Sequence, residues 1–453
     1  MRRLESLKRV CVLWLSLAGL LLETAVYAYI WLRNYYPIVN RFNLGLKFFF
    51  KGHLLIIAIY FVLLFFFTST YGGLKIGYLK PGDVFLSQLV SLCIVDVITY
   101  FQISLMSNRL VPVVYFAQAL VLQLLISGIW TAFCNRVYRR VFPPREMLLV
   151  HGHRSIEDIL RKFESRRDKY RITKCVNIKE GIWKIQEEID SGFHAVVLWD
   201  ISTEDRHKLL KYCYSRSVRV YMMPKIPDVL IAGADQLHLF DTPIFLTREY
   251  ALTVEQRMAK RMIDLVLSLV LTILTSPIML ITAICIKCYD GGPILYKQTR
   301  CTCGGREFRI MKLDAEKDGV ARLASRNDSR ITPIGKFIRM VRIDELPQLF
   351  NILMGDMSFI GPRPERPEII AQYVEQMPEF VFRMKVKAGL AGYAQVYGKY
   401  NTTPYDKLKL DLSYIENYSL WLDLKLMLLT LKILIKPETR KVPKGLTAIR
   451  QQP

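Results

Sequence analysis

Two adjacent carboxylates, Asp344 and Glu345, are the residues of this sequence whose types and spacing best suit chemistry. Pro347 follows them and suits the first turn of a helix, which is predicted over Gln348–Met354 and is ended by Gly355. Backbone N–H groups at a helix start favour negative charge, so both carboxylates are predicted to be ionised and able to lie near a phosphate. An ionised aspartate can attack phosphorus, and the pair can bind Mg²⁺. The alternative is a pair that only caps the helix.

An arginine between two prolines follows in the segment Gly361–Pro364. Pro362 and Pro364 restrict the loop around Arg363, whose guanidinium group can bind a phosphate through two parallel hydrogen bonds. The segment therefore indicates a phosphate-binding loop, although four residues are too few to assign this function by themselves.

A basic stripe precedes the carboxylates. Thr332 and Pro333 are typical of a helix start, and Lys336, Arg339 and Arg342 then fall on one face at three-residue spacing. This face either contacts water or faces anionic headgroups and phosphates.

The composition indicates that membrane helices position these residues. Hydrophobic residues make up 52% of the 453 residues, and apolar stretches of membrane-spanning length fill the first third, at 10–32, 52–71, 85–107 and 110–133. We therefore predict a bundle of four transmembrane helices in residues 1–145, rather than buried helices of a soluble core. Basic residues flank both ends of this region, so both ends are predicted to be cytoplasmic.

The net charge of +23 favours anionic partners such as lipid headgroups and phosphate substrates. Nucleic acid is not predicted as a partner, because the sequence contains no recognition motif and its basic residues lie close to the apolar stretches. The spacing Cys285-x-x-Cys288 followed by Cys301-x-Cys303 could bind zinc, but the first pair ends a membrane stretch without a nearby histidine. Buried thiols and a turn are the expected interpretation.

Residues 146–250 are predicted to form a small Rossmann-like domain, because short apolar runs alternate with helical patterns. The runs are Met147–Val150, Ala195–Leu198 and Val218–Met222. The first run leads to Gly152, but the G-x-G-x-x-G fingerprint of a dinucleotide site is absent. A structural or regulatory role is therefore expected, rather than nucleotide binding.

Residues 251–289 contain a linker and a fifth apolar stretch, interrupted near its middle by Ser276 and Pro277. Proline removes an intrahelical hydrogen bond, so the stretch is either a kinked spanning helix or a re-entrant helix that enters and leaves on one side. The basic residues that follow oppose translocation, which favours re-entrance. A mixed α/β catalytic domain is then predicted over 290–436, with an amphipathic run at 423–435 and a polar tail at 437–453.

Several motifs in residues 260–436 together resemble the bacterial sugar transferases, the monotopic polyprenyl-phosphate phosphoglycosyltransferases. They are Lys260–Asp264, Ser276–Pro277, Asp290–Pro293, Tyr296–Arg300, Arg342–Leu349, Gly355–Ser358, Gly361–Pro364, Lys387–Leu390 and Asp411–Tyr414. The preceding helices and α/β insert resemble the long form of the family, which initiates exopolysaccharide, capsule or O-antigen synthesis. Some long-form relatives dimerise, so a homodimer is an open expectation.

The resemblance implies a two-step transfer at the inner face of the cytoplasmic membrane, with Mg²⁺ as cofactor. Asp344 would attack the β-phosphate of a UDP-sugar and release UMP, and Glu345 would complete the dyad. The phosphosugar would then pass to undecaprenyl phosphate. Ser276 and Pro277 would form the break in the re-entrant helix, Arg363 would contact the nucleotide between Pro362 and Pro364, and Lys297, Arg300 and Arg342 would lie on the phosphate side.

One segment departs from the family pattern. The run Phe308–Lys312 leads directly into an acidic stretch, so a few residues of the family pattern, among them an arginine and a methionine, are missing. Their loss would impair activity unless Arg309 or Arg322 substitutes for the missing arginine. A membrane scaffold with a degenerate catalytic part is therefore one alternative. A membrane-anchored nucleotide-sugar dehydratase or epimerase is another, since Tyr405-x-x-x-Lys409 is present, but its glycine fingerprint is absent. The Asp-x-Asp of an ordinary metal-dependent glycosyltransferase is also absent.

Overall fold

The computed structural model describes residues 2–42, 50–152, 154–247, 251–291, 293–314, 332–398 and 402–435. The chain divides into two compact units, Met1–Met223 and Pro224–Pro453. Helix Ile226–Ala232 therefore groups with the C-terminal unit, whereas the sequence placed it in the α/β domain. The reason is its packing: Gly233, at the end of this helix, lies so close to Glu416 that an added Cβ would approach the Glu416 Cβ to 2.4 Å.

The first unit begins with long apolar helices, as the sequence predicted. They are α1 (Arg2–Ile30), α2 (Tyr36–Phe42), α3 (Phe50–Tyr71), α4 (Pro81–Met106) and α5 (Val114–Val141). A π-helical turn, Trp31–Tyr35, joins α1 to α2, so that Leu7–Arg41 forms one span of membrane-crossing length. Outward-facing apolar side chains such as Leu105, which is 77% exposed, are typical of a lipid-facing surface.

A parallel four-stranded sheet follows in the same unit, which confirms a small α/β domain. Its strands are β1 (Arg145–His151), β2 (Tyr170–Asn177), β3 (Ala195–Trp199) and β4 (Arg219–Met222), in the order β2-β1-β3-β4. Its helices are α6 (Glu157–Glu164), α7 (Ile182–Asp190) and α8 (Thr203–Ser215). The sequence analysis missed β2, because it is an edge strand whose polar residues interrupt the apolar pattern.

The second unit is mixed α/β. Its helices are α9 (Ile226–Ala232), α10 (Val254–Asp290), α11 (Pro333–Val341), α12 (Gln348–Met354), α13 (Pro367–Gln376), α14 (Tyr393–Tyr397), α15 (Pro404–Glu416) and α16 (Leu420–Ile435). Its strands form three pairs: antiparallel β5 (Asp235–Leu239) with β6 (Thr242–Leu246), antiparallel β7 (Leu295–Cys301) with β8 (Glu307–Leu313), and parallel β9 (Met357–Ile360) with β10 (Ala388–Ala391). One apolar core, which includes Phe308, Ile352, Ile360 and Leu412, joins β8, α12, β9 and α15.

Helix α10 is continuous over 37 residues, with Pro277 inside it. The predicted interruption at Ser276 and Pro277 is therefore absent from the helix assignment. Proline cannot donate to the carbonyl of Ile273, four residues earlier, but the Ser276 hydroxyl donates to that carbonyl at 2.8 Å. The serine thus compensates for the hydrogen bond that the proline removes, which allows the helix to continue in an apolar setting.

The first turns of α10 anchor it to the rest of the C-terminal unit. Lys260 Nζ lies 2.6 Å from Asp423 Oδ2 of α16 and donates to the Ile360 carbonyl at 2.9 Å. Asp264 Oδ1 accepts from the Ser358 hydroxyl at 3.1 Å and from the Phe359 N–H at 3.0 Å. Both buried charges of α10 thus hold β9, the strand that precedes the Gly361–Pro364 loop.

Candidate active site

The two predicted carboxylates lie in a short 3₁₀ turn, Ile343–Glu345, between α11 and α12. Thr332 caps α11 as predicted, since its hydroxyl accepts from the Gly335 N–H at 2.8 Å. Helix α12 begins at Gln348 after Pro347, as the sequence indicated. The carboxylates thus lie just before a helix start, where backbone N–H groups favour anions.

Arg342 does not continue the basic stripe of α11. Its φ of 67° is left-handed, which ends the helix and turns the chain into the 3₁₀ turn. A non-glycine residue pays a conformational penalty there, so surrounding contacts must hold the geometry. Lys336 and Arg339 stay on α11, whereas Arg342 Nη1 lies 3.5 Å from Glu345 Oε1.

Glu345 is the centre of a cluster of three cations from three elements. Its Oε1 lies 3.1 Å from Lys312 Nζ at the end of β8, 3.1 Å from Arg363 Nη2 in the loop after β9, and 3.5 Å from Arg342 Nη1. The structure therefore brings Glu345, Arg342 and Arg363 together as predicted, and adds Lys312, which the sequence analysis did not assign to the site.

Asp344 lies beside this cluster in a different environment. It is 8% exposed, and its Oδ1 is buried without a hydrogen-bond partner among the residues that the structure describes. A buried acceptor that lacks a partner is costly and is typical of a site that awaits a ligand or performs chemistry.

The pKa values of the two neighbouring carboxylates are shifted in opposite directions. Burial and then the charge of Glu345 raise the pKa of Asp344, against the opposing charges of Lys312, Arg342 and Arg339. Burial would also raise the pKa of Glu345, but Arg363, Lys312 and Arg342 outweigh it and hold that pKa well below its usual range. The prediction that both carboxylates are ionised is therefore supported at Glu345, where the three cations rather than the helix start lower the pKa, and is opposed by burial at Asp344.

Hydrogen bonds to its backbone carbonyls fix the loop that carries Arg363. The Pro362 carbonyl accepts from the Gly389 N–H at 2.9 Å, the Arg363 carbonyl from Arg383 Nη2 at 2.9 Å, and the Pro364 carbonyl from Arg300 Nη1 at 3.2 Å. With every carbonyl of this proline-bounded segment satisfied, the Arg363 side chain is held toward Glu345. Pro362 and Pro364 thus act through loop geometry, as their prediction implied.

Glycines allow this loop to approach β10 closely. A Cβ on Gly361 would lie 2.3 Å from the Lys387 carbonyl oxygen, and one on Gly389 would lie 2.1 Å from the Gly361 nitrogen. Any larger residue would therefore separate β10 from the loop.

The two other predicted phosphate-side cations differ in position. Arg300 lies behind the loop, where its Nη1 is also 3.6 Å from Glu365 Oε2 and burial lowers its pKa. Lys297 pairs with Met311 across the hairpin, whereas Lys312 pairs with Tyr296. Because neighbouring residues of a strand point to opposite faces, exposed Lys297 lies on the face away from Glu345. The structure does not bring Lys297 to the cluster.

An asparagine that the sequence analysis missed holds β8 beside α12. Asn351 is fully buried; its Oδ1 accepts from the Met311 N–H at 3.0 Å and its Nδ2 donates to the Arg309 carbonyl at 2.9 Å. The amide thereby fixes the strand end that carries Lys312. No local pattern reveals this role, because it depends on two backbone groups forty residues away in sequence.

The residues that suggested a dehydratase or a nucleotide-binding site make contacts within the protein instead. Lys409 lies 2.7 Å from Asp406 and over the Tyr405 ring, so this pair forms part of α15 packing. A Cβ on Gly152 would lie 1.9 Å from the Asp200 carbonyl oxygen. The Arg154 N–H donates to Asp200 Oδ2 at 3.0 Å, so a carboxylate already occupies the anion-binding end of that loop.

The shortened segment after Lys312 and its neighbours lie partly outside the described residues. Arg322 is among those not described, whereas Arg309 is exposed on β8, on the face opposite Lys312. The four cysteines with zinc-like spacing are free, and the prediction of buried thiols is confirmed for Cys301 but is wrong for Cys285, Cys288 and Cys303, which are exposed. Among the described residues, no three His, Cys, Asp or Glu side chains form a metal-binding group.

Comparison with known proteins finds that most of the second unit matches a protein family. Residues 255–437 match the family model described as bacterial sugar transferase. The chain is 34% identical to the UDP-N-acetylgalactosamine-undecaprenyl-phosphate N-acetylgalactosaminephosphotransferase of Aeromonas hydrophila over an alignment of 276 residues. This alignment covers 56% of this chain and 62% of that relative. The chain thus spans less than two thirds of that protein's length.

Two further relatives each match a smaller share of the chain. A UDP-glucose:undecaprenyl-phosphate glucose-1-phosphate transferase of Caulobacter vibrioides is 41% identical over an alignment of 186 residues, which covers 39% of this chain and 69% of the relative. The uncharacterized sugar transferase EpsL of Bacillus subtilis is 35% identical over 194 residues, which are 42% of this chain and 94% of the relative. The family match over residues 255–437 contains Asp344.

Proposed function

Because the chain belongs to the bacterial sugar transferase family, we propose that it transfers a sugar-1-phosphate from a UDP-sugar to undecaprenyl phosphate. The products are UMP and a lipid diphosphate-sugar, as in the first membrane step of exopolysaccharide, capsule or O-antigen synthesis. The observation that carries this proposal is a buried carboxylate oxygen of Asp344 without a partner, beside three cations gathered on Glu345.

Asp344 is the proposed nucleophile. Its carboxylate oxygen attacks the phosphorus that bears the sugar, and the bond from that phosphorus to the UMP oxygen breaks, which gives an aspartyl phosphosugar and UMP. An oxygen of undecaprenyl phosphate then attacks the same phosphorus. The acyl phosphate bond breaks, the lipid diphosphate-sugar leaves, and the Asp344 carboxylate is regenerated.

The surrounding cations explain how such a charged reaction is tolerated. Phosphoryl transfer depends mainly on positioning and on stabilising charge on the phosphate oxygens. Arg363, which is more exposed than Glu345 and held by its loop, can contact the nucleotide diphosphate while Glu345 orients it. Lys312 and Arg342 also contact the Glu345 carboxylate and add two further positive charges beside the site.

Mg²⁺ remains part of the proposal, with a narrower ligand set than the sequence suggested. Glu345 Oε1 is already contacted by three cations, which does not suit a metal ligand, whereas Asp344 Oδ1 has no partner among the described residues. Mg²⁺ is commonly held by one or two carboxylates together with substrate phosphates. Asp344 is thus the residue that could hold it, and a bound ion would neutralise diphosphate charge.

Product analysis tests the proposed reaction. The purified chain in lipid nanodiscs is given undecaprenyl phosphate and UDP-glucose, UDP-galactose or UDP-N-acetylgalactosamine, each labelled in the β-phosphate. We expect UMP and a lipid that carries the label, with one of the sugars preferred. Release of UDP, with label left on the nucleotide, would contradict the proposal, because the sugar would have moved without its phosphate.

A native thiol tests the proposed orientation at the inner membrane. The basic residues that follow α10 favour a cytoplasmic position for the second unit, and exposed Cys303 lies in that unit. In a variant that retains only Cys303, a membrane-impermeant maleimide should label it in lysed cells but not in intact spheroplasts. Equal labelling in both would instead place this unit outside.

The pH dependence of turnover tests the electrostatics of Asp344. A nucleophilic carboxylate must be ionised, so activity is lost as the pH falls through its raised pKa. Lys312 lowers this pKa and Glu345 raises it. We therefore expect Lys312→Met to move the acidic limb of kcat/KM to higher pH, and Glu345→Gln to move it to lower pH, while both reduce the maximum.

The control for this pair is Lys385→Met, which removes an exposed lysine of the same unit. Its acidic limb should coincide with that of the wild-type protein. If Lys312→Met and Glu345→Gln shift the limb in the same direction, or neither shifts it, the limb does not report Asp344.

A further inference from the structure

A cluster of polar side chains lies inside the helices of the first unit, apart from the proposed chemistry. Glu23 and Tyr27 come from α1, Tyr60 from α3, Asp96 from α4 and Gln123 from α5, and each is at most 6% exposed. They lie in four different candidate membrane spans. We call these five residues the intramembrane polar cluster. Ionisable residues within membrane helices are costly and are a default indication of a functional site.

Direct contacts join the members of this cluster. The Tyr60 hydroxyl donates to Asp96 Oδ1 at 2.8 Å, and Gln123 Nε2 donates to the Tyr60 oxygen at 2.8 Å and to the Glu23 carbonyl at 3.0 Å. The Tyr27 ring stacks on Tyr60 with 3.9 Å between ring centroids. Glu23 and Tyr27 are four residues apart on α1, so the Glu23 side chain lies on the same helix face as the Tyr27 ring. All four spans therefore meet at one polar site.

The unsatisfied atoms of this site are mostly acceptors. Glu23 Oε2, Asp96 Oδ2 and Gln123 Oε1 are buried without a hydrogen-bond partner among the described residues, as are the hydroxyls of Tyr27 and Thr99. Every one of these five atoms is an oxygen. Each would be expensive to leave unpaired in a low-dielectric interior.

The charge of the site is uncompensated by the helices that form it. Among the described side chains of α1–α5, Glu23 and Asp96 are the buried ionisable carboxylates, and no lysine, arginine or histidine is buried with them. A pair of like charges without a counter-ion is strongly disfavoured in a membrane. An additional positive charge, bound through oxygen, would satisfy both the charge and the unpaired acceptors.

We propose that the intramembrane polar cluster binds one hard metal cation through Glu23, Asp96 and Gln123. Carboxylate and amide oxygens are the ligands that Mg²⁺ and Ca²⁺ prefer, and helix-enclosed sites of the same oxygen chemistry bind Na⁺. The ion would link the four spans and stabilise the first unit. This site lies in a different unit from Asp344 and does not depend on the proposed transfer reaction.

Thermal unfolding in defined ions tests the proposal. The full chain in nanodiscs carries Asp344→Asn in every arm, so that an ion held there does not contribute. Unfolding is followed in choline, Na⁺, Mg²⁺ and Ca²⁺ at matched ionic strength. We expect a saturable rise of the unfolding midpoint with one of the metal ions and not with choline. Glu23→Gln and Asp96→Asn should each abolish that rise.

A matched variant and a direct measurement complete the test. Ser91→Ala removes a fully buried hydroxyl of α4 whose partner is the Ser87 carbonyl, and it should retain the ion-dependent rise. Equilibrium dialysis with the stabilising ion as a radioisotope should find one ion per chain, lost in Asp96→Asn even if Glu23→Gln does not fold. Identical midpoints in all four salts, or binding unchanged in both carboxylate variants, would overturn the proposal in favour of protonated carboxyls or enclosed water.

Discussion

Asp344→Asn should reduce turnover by about 10⁴-fold or more while leaving the protein folded, because losses of this scale follow removal of a covalent nucleophile. Asparagine matches aspartate in shape but cannot form the acyl phosphate bond. The assay is release of labelled lipid from β-phosphate-labelled UDP-sugar. Asp344→Ala should lose activity to the same extent. It serves as a control because slow deamidation could convert asparagine back to aspartate, whereas alanine cannot be converted.

The stability of this variant should move in the opposite direction from its activity. Since burial raises the folded-state pKa of Asp344, ionising it costs folding free energy at pH values above its unfolded pKa. A neutral asparagine avoids this cost, so the unfolding midpoint at pH 7 should equal or exceed that of the wild-type protein. An inactive variant with a clearly lowered midpoint would point instead to a structural role.

Lys260→Met should destabilise the second unit by about 3–5 kcal/mol, the usual cost of removing one partner from a buried ion pair. The side chains of Lys260 and Asp423 are only 10% and 3% exposed, and their charged atoms are 2.6 Å apart. Burial raises the pKa of Asp423 and Lys260 opposes that effect, so the variant leaves a buried carboxylate without its cation. Thermal unfolding of the full chain in nanodiscs measures the loss.

A double-mutant cycle separates the ion pair from simple packing. Lys260→Met with Asp423→Leu should recover most of the stability lost by either single change, because the double variant leaves no unpaired buried charge. Lys287→Met, which alters an exposed lysine of the same helix, should change the midpoint little. Additive losses in the double variant would show that the pair is not coupled.

The parts of the site that the sequence predicted are those set by local chemistry. The Thr332 cap, the helix after Pro347 and its end at Gly355 each depend on residues within one turn, so their types alone indicate the structure. The closeness of Asp344 and Glu345 to Arg363 could be anticipated from the family resemblance. Their local backbone, a 3₁₀ turn entered through left-handed Arg342, could not, since arginine rarely adopts that conformation.

The remaining parts depend on long-range contacts that no spacing reveals. Lys312 reaches Glu345 because Asn351 fixes the end of β8, and Arg383 supports the loop through the Arg363 carbonyl. Successive side chains of β8 point to opposite faces of the hairpin, so Lys312 lies on a different face from Met311 and Leu313. The sequence alone does not show which of these faces meets Glu345. The same register shows why Lys297, despite its charge, lies on the other face.

Direct detection of the covalent intermediate tests the account most closely. The chain is mixed with a UDP-sugar in the absence of undecaprenyl phosphate, and the reaction is quenched in acid. The protein is then digested, and the mass of the peptide containing Asp344 is measured by mass spectrometry. We expect one sugar-phosphate on this peptide for each UMP released, and its disappearance when undecaprenyl phosphate is added before quenching. An unmodified peptide, found while UMP and labelled lipid are still produced, would contradict Asp344 as the residue that carries the phosphosugar.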